Sequence, residues 1–459
     1  MVDVGKTMSK VSLWSRAGEM LDRQVRPNAL IEQDGIRRLD VTGIGEWLVE
    51  SLAAYAGQPV EYIIPVGHGA GVAALADGEL AIIPLDYEQA IPDEIMTAYR
   101  AERGPFVATG SPALPAGLNL ASQLYWLDRL QPEVMARATL LPWAQYWGWF
   151  LTGQAVSEVT SLGCHSDLWA PDDGRFSPLA ERMDWARRFA PLAKAGDAIG
   201  GLRSKLARAT GLSPNVRVLA GIHDSNAALL AARGFGEFAR KEMTTLSTGT
   251  WFIAMRTPDE IVTTSLLPEG RDCLVNIDAY GWRIPSARFM GGREIETIIE
   301  IDTRQVDIRP DQPALLAAVP QVLAAGAMLL PTFAPGCGPF PNGNGRWLAR
   351  PEDWFERRAA ACLYAALVAD TALSLIESKE RLLVEGRFAE AEVFVRALAS
   401  LRPDTAVYVA NAHNDVSFGA LRLINPSLTP RGALTRVEPL DVDLEMYRSV
   451  WHAELGVAA

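Results

Sequence analysis

The chemically suggestive stretch of this chain runs from Leu219 to Thr250. Apolar Val216, Val218 and Leu219 predict a strand that runs into Gly221 and delivers His223 and Asp224. A helix of small residues is expected over Asn226–Ala232, and a second strand ends in the turn Ser247-Thr248-Gly249-Thr250. A carboxylate at a strand end can take the proton of a hydroxyl. A turn of Gly and Thr can offer backbone N–H groups and a hydroxyl to phosphate oxygens. Together they suit phosphoryl transfer to an alcohol. An Asp beside a helix start is also an ordinary N-cap, so the pair needs support from the rest of the chain.

A matching turn stands near the N-terminus. Asp3-Val4-Gly5-Lys6-Thr7 leads into an alternating strand, Lys10 to Trp14, with a hairpin turn at Arg16-Ala17-Gly18-Glu19. Gly5-Lys6-Thr7 is not a P-loop, which needs a glycine five residues before its Gly-Lys-Thr glycine and a strand before that. The two Gly/Thr turns lie half a chain apart, as an internal duplication would place them; two unrelated hairpins would look the same. The first strand is short, and the native start is expected a few residues upstream.

The 459 residues exceed one ordinary core, so two domains are expected, over 1–228 and 229–459. The formal net charge of −12 argues against nucleic acid or an anionic membrane as partner. Cys164, Cys273, Cys337 and Cys362 are scattered, without zinc or redox spacing, and read as reduced thiols of a cytoplasmic protein. No signal core is expected at the N-terminus. The apolar run Ala359–Ile376 is alanine-rich and carries Asp370, which predicts a buried helix and not a membrane span.

The elements that must position these residues follow from periodicity. An amphipathic helix is predicted over Trp47–Tyr55 and a buried strand over Val60–Val66, leading to Gly67-His68-Gly69-Ala70-Gly71. That loop and Leu85-Asp86-Tyr87-Glu88 are candidate sugar contacts or plain surface loops. The aromatics from Leu124 to Phe150 read as core packing of two helices. A helical segment is expected around Leu179–Phe189, and a strand pair over Arg271–Ile284. A glycine-punctuated helix start is expected at Phe289–Glu294. A strand over Gly326–Pro331 should run into the irregular loop Pro335–Pro339. Later come a long helix, Trp354–Ile376, a strand Leu382–Gly386, and a helix from Glu390. They are followed by a strand Ala406–Val409, a helix Asp415–Leu423 and a terminal helix Leu440–Leu455.

The order of these motifs resembles the FGGY family of carbohydrate kinases over nearly the whole chain. Asp3-x-Gly5-x-Thr7-x-x-Lys10 looks like its first phosphate motif, and Gly221-x-His223-Asp224 like its catalytic segment. Trp126-Leu127 with Pro132, then Tyr146 to Gly153, resembles its first-domain helices. Ser247-Thr248-Gly249-Thr250-Trp251 is similar to the second phosphate motif, in the form of the L-rhamnulose/L-fuculose kinase-like branch. Gly326 to Pro331 and Ser417 to Ala420 look like nucleotide-domain motifs.

The resemblance implies an α/β fold of two actin-like (RNase H-like) domains, each a mixed sheet with flanking helices, closing on a cleft. It implies transfer of phosphate from MgATP to a sugar hydroxyl, with Asp224 as base and Asp3 on Mg²⁺. Gly5, Thr7, Lys10, Thr248, Gly249, Thr250, Gly326, Pro331, Glu385 and Gly386 would serve ATP. Gly67, His68, Asp86, Tyr87, His223 and Asp224 would serve the sugar. The partners implied are a small sugar and MgATP, with a homodimer allowed.

Three departures from the family pattern stand out. Lys10 replaces the usual Arg, Glu385-Gly386-Arg387-Phe388 replaces a glycine-rich adenosine turn, and Leu85–Glu88 replaces a Trp-x-Asp-x-Arg substrate segment. L-Rhamnulose or L-fuculose leads as substrate, with a pentulose next. A weakly catalytic sensor that binds sugar or nucleotide is the alternative class. A serine hydrolase would need a Gly-x-Ser-x-Gly elbow, which the chain lacks.

Overall fold

Two mixed sheets of the same plan organise the molecule. In this computed structural model, residues 1–239, 241–410 and 416–456 are described. The first sheet contains β1 (Val2–Val4), β2 (Met8–Trp14), β3 (Met20–Pro27), β4 (Pro65–Gly67) and β5 (Ile222–His223), in the order β5-β4-β1-β2-β3. β1, β2 and β3 are an antiparallel meander, while β4 and β5 run parallel to β1.

The second sheet contains β6 (Met243–Thr248), β7 (Phe252–Thr257), β8 (Cys273–Ile277), β9 (Arg283–Phe289), β10 (Arg381–Gly386), β11 (Ala406–Ala410) and β12 (Leu434–Arg436). Its order is β8-β9-β7-β6-β10-β11-β12. Within it, β11-β10-β6-β7-β9 repeats the first sheet strand for strand, with the same parallel and antiparallel senses. The duplication suggested by the two Gly/Thr turns is therefore present. Those turns are the β1–β2 and β6–β7 connections of the two copies, and β8 and β12 are additions at opposite edges.

Helices bury their apolar faces on these sheets. Helix α1 (Val41–Ala53) is capped by Asp40, whose carboxylate accepts from Gly43 N. Helix α2 (Leu120–Leu130) and helix α3 (Trp143–Thr152) carry the aromatic cluster into the core. Helix α4 (Asp224–Ala232) follows β5, and α5 (Gly291–Ile299) follows β9. Helix α6 (Trp354–Leu375) has an 18-residue window 78% buried, so the one described helix apolar enough to span a membrane is a core helix. Helix α7 (Glu392–Leu401) precedes β11, and α8 (Val416–Leu421) comes after it. Helices α4 and α8 touch backbone to backbone: a Cβ on Gly419 would stand 1.7 Å from the Ala227 carbonyl oxygen.

Several predicted elements are redrawn. Val60–Val66 is two strands in different sheets: Tyr62–Ile63 pairs with Arg217–Leu219, and Pro65–Gly67 joins β1. The Trp47–Tyr55 helix begins at Val41, where Asp40 supplies the cap, and ends at Ala53. Leu179–Phe189 splits into Pro178–Arg182 and Trp185–Arg188 around Asp184, whose φ is 59°. The helix expected from Glu390 starts at Glu392 after a tight 3₁₀ turn, and the terminal helix is Glu445–Glu454. The start of the Asp415–Leu423 helix lies outside the described residues.

Candidate active site

The first hairpin is held rigidly from below. Trp143 Nε1 donates to the Val4 carbonyl at 2.9 Å. Asn28 Nδ2 donates to the Gly5 carbonyl at 2.8 Å, while its backbone N–H reaches the Thr7 carbonyl. Asp3 and Lys10 are register partners, and Lys10 Nζ lies 3.4 Å from Asp3 Oδ2. Burial pushes the Asp3 carboxyl up to about 6; Lys10 opposes this, and the charge of Asp224 adds to it. Thr7 is exposed at the turn.

Strands β4 and β5 bring in the second group. Gly67 sits against Trp143 and Ala144, where a Cβ would meet atoms at 2.9 and 3.0 Å. His68 Nδ1 is 2.6 Å from the Gly69 carbonyl and must donate to it, leaving Nε2 buried without a partner. Burial lowers the His68 pKa, so the ring is neutral and Nε2 can accept. The Tyr87 ring lies 5.4 Å from His68. Asp86 is fully buried and pairs with Lys6 at 2.9 Å; Glu88 reaches the same ammonium at 2.6 Å. Lys6 also sits 4.3 Å above the Tyr87 ring.

Asp224 opens helix α4 but does not cap it. The N-cap is His223, and it makes no side-chain cap bond. Asp224 Oδ1 accepts from Ser225 N at 2.6 Å and lies 3.2 Å from His223 Nε2; its side chain is 33% exposed. His223 is fixed in turn by its N–H to Thr160 Oγ1 at 3.0 Å, and Thr160 donates to Glu158 at 2.5 Å. Gly69 leaves room for this arrangement, since a Cβ there would come within 2.9 Å of Cys164 Sγ and 3.0 Å of His223 Nε2. Burial holds the Cys164 thiol up at about 12, with the Asp224 charge adding, so it is no nucleophile.

In the second half, Thr248 and Gly386 are register partners. Thr248 Oγ1 donates to the Glu385 carbonyl at 2.5 Å and accepts from Phe388 N at 3.0 Å. Thr248, Glu385 and Gly386 are thus one structure, and Thr248 spends its hydroxyl on the turn. Gly249 and Thr250 sit against the start of α5: a Cβ on Gly292 would lie 1.9 Å from the Gly249 carbonyl, and Arg293 N approaches the Thr250 carbonyl at 3.4 Å. A Cβ on Gly249 itself would meet only Trp251 O, at 3.8 Å, so its outer face is open to a ligand.

Pro331 ends the strand Met328–Leu330, and the loop after it is tied to α5. Phe333 N and Ala334 N donate to buried Glu294 at 2.9 and 3.1 Å, and Tyr364 OH donates to it at 3.0 Å. Gly326 stands at the other end of that strand with φ of 62°, closing the helix Gln312–Ala324; no described contact joins it to the β6–β7 turn.

The two halves also meet along β8. Val275 N and Ile277 N of β8 donate to the Gly110 and Gly163 carbonyls at 2.9 and 3.1 Å. His165, anchored by Nδ1 to the Leu118 carbonyl at 2.7 Å, is held down at about 4 by burial and then by the charge of Arg288. Sequence reasoning passed over Lys6, Glu294 and Arg288. Lys6 was set aside with the P-loop, and the other two gave no signal short of their tertiary partners.

No group of three or more His, Cys, Asp or Glu side chains among the described residues could hold a metal ion. Asp3 does suit a cation shared with phosphates. It is a buried carboxylate beside a second carboxylate, and Mg²⁺ binds through one or two such groups plus phosphate and water.

Known proteins agree with this architecture. The description "Carbohydrate kinase FGGY, C-terminal domain" matches residues 240–431. L-Fuculokinase of Escherichia coli (strain K12) is 30% identical over 185 residues, which are 39% of this chain and 38% of that enzyme. The crystal structure of a carbohydrate kinase from Novosphingobium aromaticivorans is 70% identical and superposes with a TM-score of 0.96 over 99% of both chains. Ligand-bound xylulose kinase from Lactobacillus acidophilus shares the fold, with a TM-score of 0.78 at 14% identity over 98% of this chain and 95% of that one. The duplicated sheets, the paired Gly/Thr turns and the kinship over the whole chain make this protein a member of the FGGY family of carbohydrate kinases.

Proposed function

We propose that this kinase transfers the γ-phosphoryl group of MgATP to a hydroxyl of a ketose, with Asp224 as general base. The observation that carries the reading is the state of Asp224. It sits at a helix start without capping the helix, is partly exposed, and has buried Asp3 close enough to feel its charge. The acceptor oxygen bonds to phosphorus as the bond to the ADP oxygen breaks, and the hydroxyl proton passes to Asp224.

His68 Nε2 and His223 Nδ1, both buried and unpartnered, would meet sugar hydroxyls, with Asp86 and Tyr87 beside them; the unpartnered nitrogens support this reading. Gly5, Thr7 and Lys10 would meet phosphate from one side, and Gly249 and Thr250 from the other. Thr248, through the turn Glu385-Gly386, and the Pro331 loop, through α5, would shape the nucleotide side; for Gly326 the supporting contact is only its helix end. Bound Mg²⁺ would neutralise the β- and γ-phosphate oxygens, with Asp3 holding it directly or through water.

The functional division is set at 1–228 for sugar and base and 229–459 for nucleotide, closing to exclude water. An L-fuculose- or L-rhamnulose-type ketose is preferred, in keeping with the partial identity to L-fuculokinase; a pentulose is second. A cytoplasmic setting accords with four unpaired cysteines, and a homodimer is allowed. The altered adenosine turn, where Arg387 is engaged by Glu296 at 3.3 Å, favours the alternative of a weakly catalytic sensor.

ADP release from MgATP across ketoses, pentitols and aldoses tests the reading. One strong hit that vanishes in Asp224→Asn supports it. Silence across the panel, with sugar or nucleotide still raising the melting temperature, supports the sensor.

A further inference from the structure

Phosphates entering a chain of net charge −12 need local cations. Those on the first hairpin are already matched, Lys10 with Asp3 and Lys6 with Asp86 and Glu88. Near the second, Arg387 meets Glu296, and Arg293 points into solvent from α5. Arg288 differs from all of these. It stands on β9 opposite Ile253 of β7, and its side chain is only 11% exposed. Its Nε donates to Asp272 Oδ1 at 2.8 Å, and its guanidinium lies 5.0 Å from the centre of the Trp251 ring. Among the described residues its terminal nitrogens, Nη1 and Nη2, have no hydrogen-bond partner.

A guanidinium clamped along one edge and set over an aromatic ring presents a fixed fork for oxygen anions. The location of this fork is specific. Trp251 directly follows Gly249 and Thr250, so one side of Arg288 borders the second phosphate turn. The charge of Arg288 is also felt by His165, as is that of His223, whose Nε2 lies 3.2 Å from Asp224 Oδ1. Arg288 is thus tied through Trp251 to the second phosphate turn and, more loosely, through His165 and His223 to the side of the proton acceptor.

We propose that Arg288 is a catalytic residue whose Nη1 and Nη2 bind the oxygens of the phosphoryl group during transfer. The inference rests on the kinase reading above. Arg288 keeps its proton throughout. The bond pair of the breaking P–O bond leaves with ADP, the acceptor oxygen takes its place on phosphorus, and the fork matches charge on the equatorial oxygens.

The test is MgADP binding to the full chain, with and without aluminium fluoride as a mimic of the transferring group. Wild type, Arg288→Gln and Arg288→Lys are compared by calorimetry. Aluminium fluoride is expected to tighten MgADP binding by roughly tenfold or more in wild type and to add little in either variant. MgADP alone should bind all three alike. Arg288→Lys keeps a cation for Asp272 but lacks the fork, which guards against a variant that merely unfolds. On a ketose substrate, Arg288→Gln should lower kcat about 10²-fold with KM for ATP little changed. Added guanidinium should restore part of the turnover of Arg288→Ala, which a purely structural role would not allow.

No tightening in wild type, or equal tightening in the variants, overturns the proposal. Loss of turnover confined to carboxylate-bearing acceptors, with tightening intact, overturns it in favour of acceptor recognition. If no sugar is phosphorylated by wild type, the kinase reading fails, yet Arg288-dependent tightening still supports the phosphoryl site.

Discussion

Lys6 and Asp86 form a 2.9 Å ion pair in which the carboxylate is fully buried. The pair joins the β1–β2 hairpin to the Leu85–Glu88 segment, and Glu88 and Tyr87 close around the same ammonium. Removing Lys6 leaves buried Asp86 with only the looser approach of Arg37 at 3.5 Å. Lys6→Met should lower stability by about 3 kcal/mol and raise KM for the sugar. The double variant Lys6→Met/Asp86→Asn should recover much of the stability. Urea unfolding checks both, and equal losses in the single and double variants would refute the buried-pair account.

Asp224→Asn should cut kcat by roughly 10²- to 10⁴-fold while nucleotide binding persists. The fold should tolerate the change, because Asp224 is partly exposed and an Asn Oδ1 can still accept from Ser225 N. Steady-state kinetics beside ATP binding gives the answer. Near-normal turnover would remove Asp224 from the base role.

Gly386 has φ of 85° and ψ of −166°, and a Cβ there would lie 2.2 Å from the Thr248 carbonyl. That backbone region is essentially open to glycine alone. Gly386→Ala should therefore cost about 2 kcal/mol and weaken nucleotide binding more than sugar binding, because the strain falls on the β6–β10 register. Thermal unfolding and the two dissociation constants measure this directly.

The buried histidines should each cost stability in acid, against the opposite pull of Asp3 and Glu158, whose carboxyls burial pushes up to about 6 and about 7. His165 has a folded pKa of about 4 against an ordinary 6.5, with burial the main cause. Between those values the unfolded chain binds a proton that the folded chain refuses. The stability that depends on His165 staying neutral is thus full above pH 6.5 and is lost as pH falls toward 4. His68 and His223 are shifted in the same direction, also chiefly by burial. Replacing His165 by Asn should flatten part of the fall, by up to about 3 kcal/mol across the window. Urea unfolding at pH 8, 6 and 5 tests it.

The sequence by itself determined the two Gly/Thr turns. Asp3, Thr7, Asp224, Gly249 and Thr250 announce themselves because Gly/Thr hairpins and strand-end carboxylates are local patterns, set by neighbours in the chain. Long periodic elements such as Trp354–Leu375 were legible for the same reason. Tertiary structure alone decided the pairing of the pieces. Nothing local splits Val60–Val66 between two sheets; the separate partners of Tyr62–Ile63 and Pro65–Gly67 do. Nothing local says that Thr248 spends its hydroxyl on Glu385 and Phe388, or that Lys6 turns to Asp86. Arg288 reads as an ordinary strand residue until Asp272 and Trp251 fix its guanidinium. The physical reason is that a charge takes its role from the partners and solvent it meets after folding, and those partners lie far away along the chain.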